Sequence, residues 1–284
     1  MTAGPELAVT GSTGQLGAMV ARLLAQAGSP QRLLVRDAGR APALPDAAPV
    51  VFTYSDPELA RESLDGVKTL FMVSAAEAED RLQQHYTFVD AAAAAGVRHI
   101  VYTSFFGAAP DATFTLARDH FATEQRIKSS GMDYTFLRDN FYMDFLPLLA
   151  GEDGVIRGPA GDGVMAAVAR ADIARSAVTV LREPDLHVRR SYNLTGPEDI
   201  SLARAAEILT AGTGRTISFH NETLEEAYAS RASYGAPPWQ VDAWVSTYTA
   251  IAAGEMAGPT SAVHELTGRE PLGLAQFLAE AHRL

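Results

Sequence analysis

Thr10-Gly11-Ser12-Thr13-Gly14-Gln15-Leu16-Gly17 comes directly after the apolar run Leu7-Ala8-Val9 and opens an amphipathic stretch, Leu16 to Ala27. Its glycines fall three apart, in a G-x-x-G-x-x-G pattern. A strand that turns at once into a helix needs glycine for the sharp turn, and again where backbone must approach a pyrophosphate with no Cβ between them. The last glycine lets the helix lie close on the strand, and the helix N-terminus presents free N–H groups and the positive end of its dipole. A glycine pattern alone is weak; a strand before it and a helix after it give it meaning. Both are present here. Gly11, Ser12, Thr13, Gly14, Gln15, Leu16 and Gly17 are therefore expected to hold the phosphates of a dinucleotide.

Outward from this loop the same rhythm repeats. Arg32 to Val35 reads as a second strand, Val50 to Phe52 as a third and Thr69 to Val73 as a fourth. His99 to Tyr102 reads as a fifth and Tyr134 to Leu137 as a sixth. Helices are expected over Leu59–Leu64, His85–Ala95 and Leu116–Ser129, the last two stopped by Gly96 and Gly131. Continuous apolar strands separated by helices mean βαβ units. The expected fold class is α/β, a doubly wound parallel sheet of Rossmann type covered on both faces.

After Asn140 the rhythm breaks. Gly151 to Gly163 holds five glycines and a proline and is expected to be loop. Asp172–Arg182 reads as a helix and Ser191–Leu194 as a strand. From Ser201 the pattern is mostly helical, with breaks at Gly235-Ala236-Pro237-Pro238 and Gly258-Pro259. The expected division is a nucleotide-binding domain over 1–140, with 165–196 returning to its sheet, and a smaller, mostly helical cap from 141–164 and 197–284.

Composition removes several classes of function. With 284 residues, 47% hydrophobic and 20% charged, the chain can bury an ordinary globular core. It has no cysteine, which excludes disulfides, thiolate metal sites and cysteine nucleophiles. His85, His99, His187, His220, His264 and His282 show no ligand spacing, so no metal is expected. Acidic residues outnumber basic ones 34 to 23, giving a net charge of −11 that argues against nucleic acid as a partner. No uncharged apolar run approaches the roughly 20 residues that span a bilayer. Met1 to Glu6 lacks the basic and apolar regions of a signal peptide. A cytoplasmic protein without membrane contact is expected.

The second strand ends in Val35-Arg36-Asp37, with Arg40 close behind. An acid ending this strand would bind the ribose 2′-OH of NAD; a guanidinium suits a 2′-phosphate through charge-assisted, bidentate bonds. Asp37, one residue late for the first role, complicates the reading, but the guanidiniums favour NADPH as the cofactor. None of the nine tyrosines has a lysine four residues on, and the only lysines are Lys68 and Lys128. The Tyr-x-x-x-Lys pair by which many short-chain reductases protonate their substrate is therefore absent.

Together these features resemble the NmrA-like atypical branch of the short-chain dehydrogenase/reductase family, and within it the bacterial NADPH-dependent quinone oxidoreductases and triarylmethane reductases. The similarity rests on Val9 to Gly17, Val35-Arg36, Tyr54-Ser55-Asp56, Ala94 to Ser104, Leu116 to Glu124 and Tyr134 to Tyr142. It continues through Gly161-Asp162-Gly163, Arg170-Ala171-Asp172, Tyr192 to Gly196 and Leu266-Thr267-Gly268. The resemblance implies the glycine loop on the pyrophosphate, Arg36 on the 2′-phosphate, Tyr54 near the adenine, and Ser74, Ala75 and Thr103 along the cofactor. It places Asn140, Phe141, His120 and Tyr142 around the nicotinamide, the last two as candidate catalytic residues. Departures are Phe52-Thr53-Tyr54, where relatives often have Ala-Asp-Tyr, and Asp139-Asn140-Phe141.

The activity implied is hydride transfer from NADPH to a flat aromatic, quinone-like or conjugated electron-poor acceptor held between nicotinamide and cap. The alternatives left open are a non-catalytic NADP-sensing regulator and a reductase dedicated to one biosynthetic intermediate. A homo-oligomer is compatible with the sequence, which does not fix the oligomeric state. His120 lies four residues before Glu124 on one helix face, so it either serves the acceptor or pairs structurally with Glu124. Tyr142 either caps the substrate pocket or packs. Trp239, Trp244 and Tyr248 read as core or lid, and Asp172 as a helix cap.

Overall fold

The structure, a computed structural model, describes residues 4–281; Met1 to Ala3 and His282 to Leu284 lie outside the described residues. The first half alternates as the sequence predicts. β1 (Leu7–Thr10), α1 (Gln15–Gln26), β2 (Gln31–Val35), β3 (Ala47–Val51), α2 (Pro57–Ser63), β4 (Thr69–Met72) and α3 (Arg81–Ala94) lead to β5 (His99–Phe105), α4 (Thr115–Ser129) and β6 (Asp133–Asp139). Then come α5 (Leu146–Leu149), β7 (Val155–Gly158), β8 (Val164–Met165), α6 (Arg170–Arg182) and β9 (Arg190–Leu194). The chain closes with β10 (Ile200–Ser201), α7 (Leu202–Thr213), β11 (Ser218–Asn221), α8 (Leu224–Arg231), α9 (Pro238–Ala252), α10 (Ala262–Thr267) and α11 (Leu274–Ala281).

Seven strands form one sheet in the order β3-β2-β1-β4-β5-β6-β9. β1 pairs in parallel with β2 and with β4, so Val9 lies opposite Leu33 on one side and Phe71 on the other. β2–β3 and β4–β5 are also parallel. The chain reverses its direction of growth between β1 and β4, and in such sheets ligands bind at the carboxyl ends of the strands flanking that switch. That is where the glycine loop begins.

Packing divides the described chain into two compact units. One comprises residues up to 104 with 119–138 and 173–192; the other comprises 105–118, 139–172 and 193 onward. The first has its core in Ala8, Leu34, Leu70, Met72, Ile100, Tyr102 and Phe136, covered by Phe88, Val89 and Ala92 of α3 and Ile127 of α4. The second is built on Met143, Leu146, Ile156, Met165, Leu209, Ala250 and Ile251, among others.

Several boundaries differ from expectation. The stretch expected to be loop contains β7, which pairs in parallel with β11 inside a region expected to be helical. Both strands are short, and Ser218-Phe219-His220-Asn221 carries one apolar residue, too little to mark a strand. β8 and β10 form a two-residue antiparallel pair with no signature of their own. β5 runs to Phe105 because Thr103 and Ser104 are buried with hydrogen-bond partners and so continue the strand. α3 begins one turn before His85, at Arg81. Among the described residues no helix is long and apolar enough to cross a membrane, and no group of three or more acidic or histidine side chains is placed to hold a metal.

Candidate functional site

At the end of β1 the chain turns through Gly11, whose φ of 66° lies in the left-handed region. The Gly14 N–H closes the turn on the Gly11 carbonyl at 2.8 Å. A Cβ at Gly11 would stand 3.1 Å from the Val73 side chain. A Cβ at Gly17 would stand 2.3 Å from the Gly11 carbonyl oxygen and 2.7 Å from that of Thr10, which only a glycine avoids. α1 therefore starts tightly against its strand, anchored by buried Leu16. Its N-cap, Gly14, brings no side-chain cap. Thr13, Gly14 and Gln15 are exposed. Ser12 is buried, and its Oγ has no hydrogen-bond partner in the protein. An uncapped helix start beside an unpartnered hydroxyl is a fitting cradle for a phosphate.

The neighbouring strip, residues 73–75 after β4, is held with unusual completeness. Thr10 Oγ1 accepts the Val73 N–H at 2.8 Å, and the Tyr54 hydroxyl donates to the Val73 carbonyl while lying 2.9 Å from Thr10 Oγ1. Tyr54 thus turns its polar end inward, and burial pushes its phenol up. Its ring packs on Phe52 and Phe88 and stays half-buried, leaving ring surface for a flat ligand. The Ser74 N–H donates to Thr103 Oγ1 at 2.9 Å, so Thr103 ties β5 to this strip. The Ala75 N–H donates to His85 Nε2 at 2.9 Å, and the Ala75 carbonyl accepts from Arg81 Nε at 3.0 Å.

Past the end of β2, Arg36 and Arg40 are both exposed. Asp37, the acid that complicates the cofactor reading, caps a short 3-10 turn over Ala38–Arg40, its Oδ1 accepting the Gly39 N–H at 2.9 Å. The carboxylate is thereby engaged with its own backbone.

His120 is buried on α4. Its Nε2 lies 2.9 Å from Arg81 Nη2 and its Nδ1 2.9 Å from the Tyr102 hydroxyl. Glu124, the alternative partner considered for it, accepts from Ser104 at 2.7 Å and pairs with Arg138 through both oxygens. Burial first, and then the Arg81 charge, push the imidazoles of both His120 and His85 well below the usual histidine range.

These two histidines give a pH prediction. Because their folded-state pKa values are depressed, the folded chain binds fewer protons than the unfolded one below about pH 6.5. Stability is then fully present above that pH and falls on acidification, by up to about 1.4 kcal/mol per pH unit for each histidine. Burial of Asp139 raises its carboxyl well above the usual range and opposes the trend, against these two histidines and the likewise depressed His99 and His187. Denaturant titrations from about pH 7.5 to 5 should show falling stability; a rise on acidification would contradict it.

In the second unit, Asn140 is buried and committed: its Nδ2 donates to the Met256 carbonyl at 3.0 Å and its Oδ1 accepts the Phe141 N–H at 2.7 Å. Phe141 and Tyr142 are half-buried. The Tyr142 hydroxyl hydrogen-bonds Asp139 Oδ2 at 3.0 Å, and the Arg170 guanidinium lies over its ring at 4.9 Å. Asp139 is 1% exposed, and its other oxygen has no partner in the protein. Asp172 lies in the first turn of α6 and accepts the Leu272 N–H at 2.9 Å. Tyr248 lies over Gly158, where a Cβ would meet its ring at 2.1 Å, and under the Arg231 guanidinium. Trp244 stacks edge-on with Tyr234.

Two side chains of evident consequence escaped the sequence reading. Arg81 looks like an ordinary charge before a helix; its four-residue spacing from His85 was the available signal. In the sequence Asp139 is only a departure from the usual pattern, because nothing there tells a buried carboxyl from a solvated one.

A family model described as NAD(P)H-binding matches residues 11–184. The chain is 34% identical to an NAD(P)H azoreductase of Xenophilus azovorans over 96% of each chain. It is 30% identical to the crystal structure of an NADPH-dependent quinone oxidoreductase of Escherichia coli complexed with NADPH, with a TM-score of 0.88 over 97% of this chain and 99% of that one. It is likewise 30% identical to a Citrobacter triphenylmethane reductase complexed with NADP(H), with a TM-score of 0.86 over 97% and 99%.

Proposed function

Because the chain belongs to the NAD(P)H-binding family, we propose that it is an NADPH-dependent oxidoreductase that delivers a hydride to a quinone or a similarly conjugated, electron-poor acceptor. The observation that carries this reading is the glycine cradle, with its uncapped helix start and partnerless Ser12 hydroxyl. NADPH, when bound, supplies the hydride. The N–H groups opening α1 and the Ser12 hydroxyl would hold the pyrophosphate, and Arg36 and Arg40 the 2′-phosphate. The Tyr54 ring would meet the adenine, and the backbone of residues 73–75 would line the cofactor. Cofactor-side residues are assigned to 1–140 with 165–196, and acceptor-side residues to 141–164 and 197–284.

The acceptor class is supported by relatives named for reducing azo compounds, quinones and triphenylmethane dyes. Such acceptors are flat and conjugated, and they spread the charge that arrives with hydride. They need little help from a side-chain acid, which makes the missing Tyr-x-x-x-Lys pair tolerable. The proposed partner is a small aromatic or quinone-like molecule in the cytoplasm, with neither nucleic acid nor membrane involved.

Tyr142 is the better placed of the two candidate acids. Burial raises the Asp139 carboxyl well above the usual carboxylate range, which favours its protonated form. The Tyr142 hydroxyl donates to Asp139 Oδ2 at 3.0 Å, and a carboxyl that takes up a proton releases that phenol hydrogen to an acceptor. Tyr142→Phe is therefore expected to lower turnover of a simple enone by about tenfold or more while barely changing that of a quinone. Steady-state kinetics with both acceptors checks this, and equal losses with both would contradict it. The activity itself is tested by following NADPH consumption against quinones, enones, azo compounds and triphenylmethane dyes. Turnover with quinones is expected; tight NADPH binding with no turnover on any of them would overturn the reading.

A further inference from the structure

Arg81 opens α3, so its cation lies at the positive end of that helix's dipole, where an acid is favoured and a base is not. It is also 3% exposed. A guanidinium buried at the wrong end of a helix does not stabilise that helix, and its desolvation must be offset by what it bonds. It makes three contacts in three directions: Nε to the Ala75 carbonyl at 3.0 Å, Nη1 to Asp119 at 3.1 Å and Nη2 to His120 Nε2 at 2.9 Å.

Guanidinium nitrogens only donate. His120 Nε2 must therefore be the bare, accepting nitrogen, and the ring hydrogen lies on Nδ1, donated to the Tyr102 oxygen 2.9 Å away. The same logic fixes His85. Its Nε2 accepts the Ala75 N–H, so its Nδ1 donates to Thr123 Oγ1 at 2.8 Å, and Thr123 donates onward to the Asp119 carbonyl. Both rings are neutral and carry the hydrogen on the same nitrogen. A proton on His120 Nε2 would displace the guanidinium and set two cations side by side.

We propose that Arg81 and His120, with His85, form a positioning clamp that fixes both polar groups of the Ala75 peptide for the cofactor, His120 acting as Arg81's acceptor and not as a proton donor. The clamp reaches from α4 through Arg81 and His85 of α3 to the strip beside the glycine loop. That strip is also held at Ser74 by Thr103 and at Val73 by Thr10 and Tyr54. Consecutive backbone groups secured by side chains from β1, β5 and α3 are what a surface that must meet a ligand without rearranging requires. The proposal rests on the reading of residues 73–75 as lining NADPH.

Two substitutions separate positioning from proton donation. His120→Gln can set its amide oxygen near the place of Nε2 and keep an acceptor for Arg81, whereas His120→Asn keeps only a group near Nδ1. His120→Asn is expected to weaken NADPH binding about tenfold, the scale of one lost hydrogen bond to a charged group. Hydrogen exchange at the Ser74 and Ala75 amides of the cofactor-free protein should accelerate by about the same factor. Turnover at saturating NADPH should change less than about threefold, because the loss falls on binding. His120→Gln should restore both affinity and protection. Should His120→Asn not fold, Arg81→Lys, which keeps the charge but loses the fork, should show the same signature. The clamp is overturned if both His120 variants lose turnover alike with affinity and amide exchange unchanged, or if none of these readouts moves. Failure of the wild type to bind NADPH would instead remove the functional reading, and the amide exchange would still decide the clamp.

Discussion

Gly17→Ala is expected to weaken NADPH binding by more than about a hundredfold and to cost the fold about 2–3 kcal/mol, the range for forcing extra volume into a packed site. The added methyl would lie 2.3 Å from the Gly11 carbonyl oxygen and 2.4 Å from its carbon, atoms of a backbone that cannot swing aside as a side chain does. Relief requires α1 to move off β1, and that movement opens the turn whose N–H groups form the cradle. Gly14 supplies the contrast. A Cβ there meets only the Gly11 oxygen, at 3.3 Å, and its φ of −95° suits any residue. Gly14→Val should therefore fold normally and still lose binding, since its exposed side chain would stand where the pyrophosphate must come. Circular dichroism, thermal denaturation and cofactor titration on both variants check the pair. Near-normal binding by a folded Gly17→Ala protein would mean that the loop is not the cradle.

The second large effect concerns cofactor choice. Arg36→Ala should reduce the preference for NADPH over NADH by about tenfold, and Arg36→Ala with Arg40→Ala by about a hundredfold. Both guanidiniums are exposed, which holds each contribution near the low end of the range for bonds to a charged group. NADH affinity should hardly change, because it has no 2′-phosphate to lose. Asp37 is not expected to take over as a ribose acid, because its carboxylate already caps the turn at Gly39. Titration of both cofactors against wild type and variants tests this; equal affinities in the wild type would contradict it.

What was legible in the sequence follows from the physics of each part. The inner strands announced themselves because parallel strands buried on both faces carry apolar runs, as Leu70–Met72 and Ile100–Tyr102 do. The glycine loop was legible because only glycine survives where Gly11 and Gly17 sit. The small two-stranded sheets were not, because β7 and β11 each have one partner and few apolar side chains to bury. The candidate site divides in the same way. Ser12, Tyr54 and Arg36 could be named from position in a motif. The Arg81–His120–His85 network could not, since it joins α3 to α4 across 39 positions of sequence, and burial and tautomer decide its chemistry. Asp139 illustrates the same limit: its letter is that of an exposed acid, while burial raises its carboxyl well above the usual range.

The central claim is that this chain does not merely hold NADPH but spends it on an acceptor. Rapid mixing of the protein–NADPH complex with a quinone, without oxygen, tests that most directly by following the nicotinamide absorbance through a single turnover. The account predicts that absorbance disappears in proportion to the quinone added, and more slowly when the transferred hydrogen is deuterium. Bound NADPH that remains unoxidised in the presence of every quinone tried would contradict it.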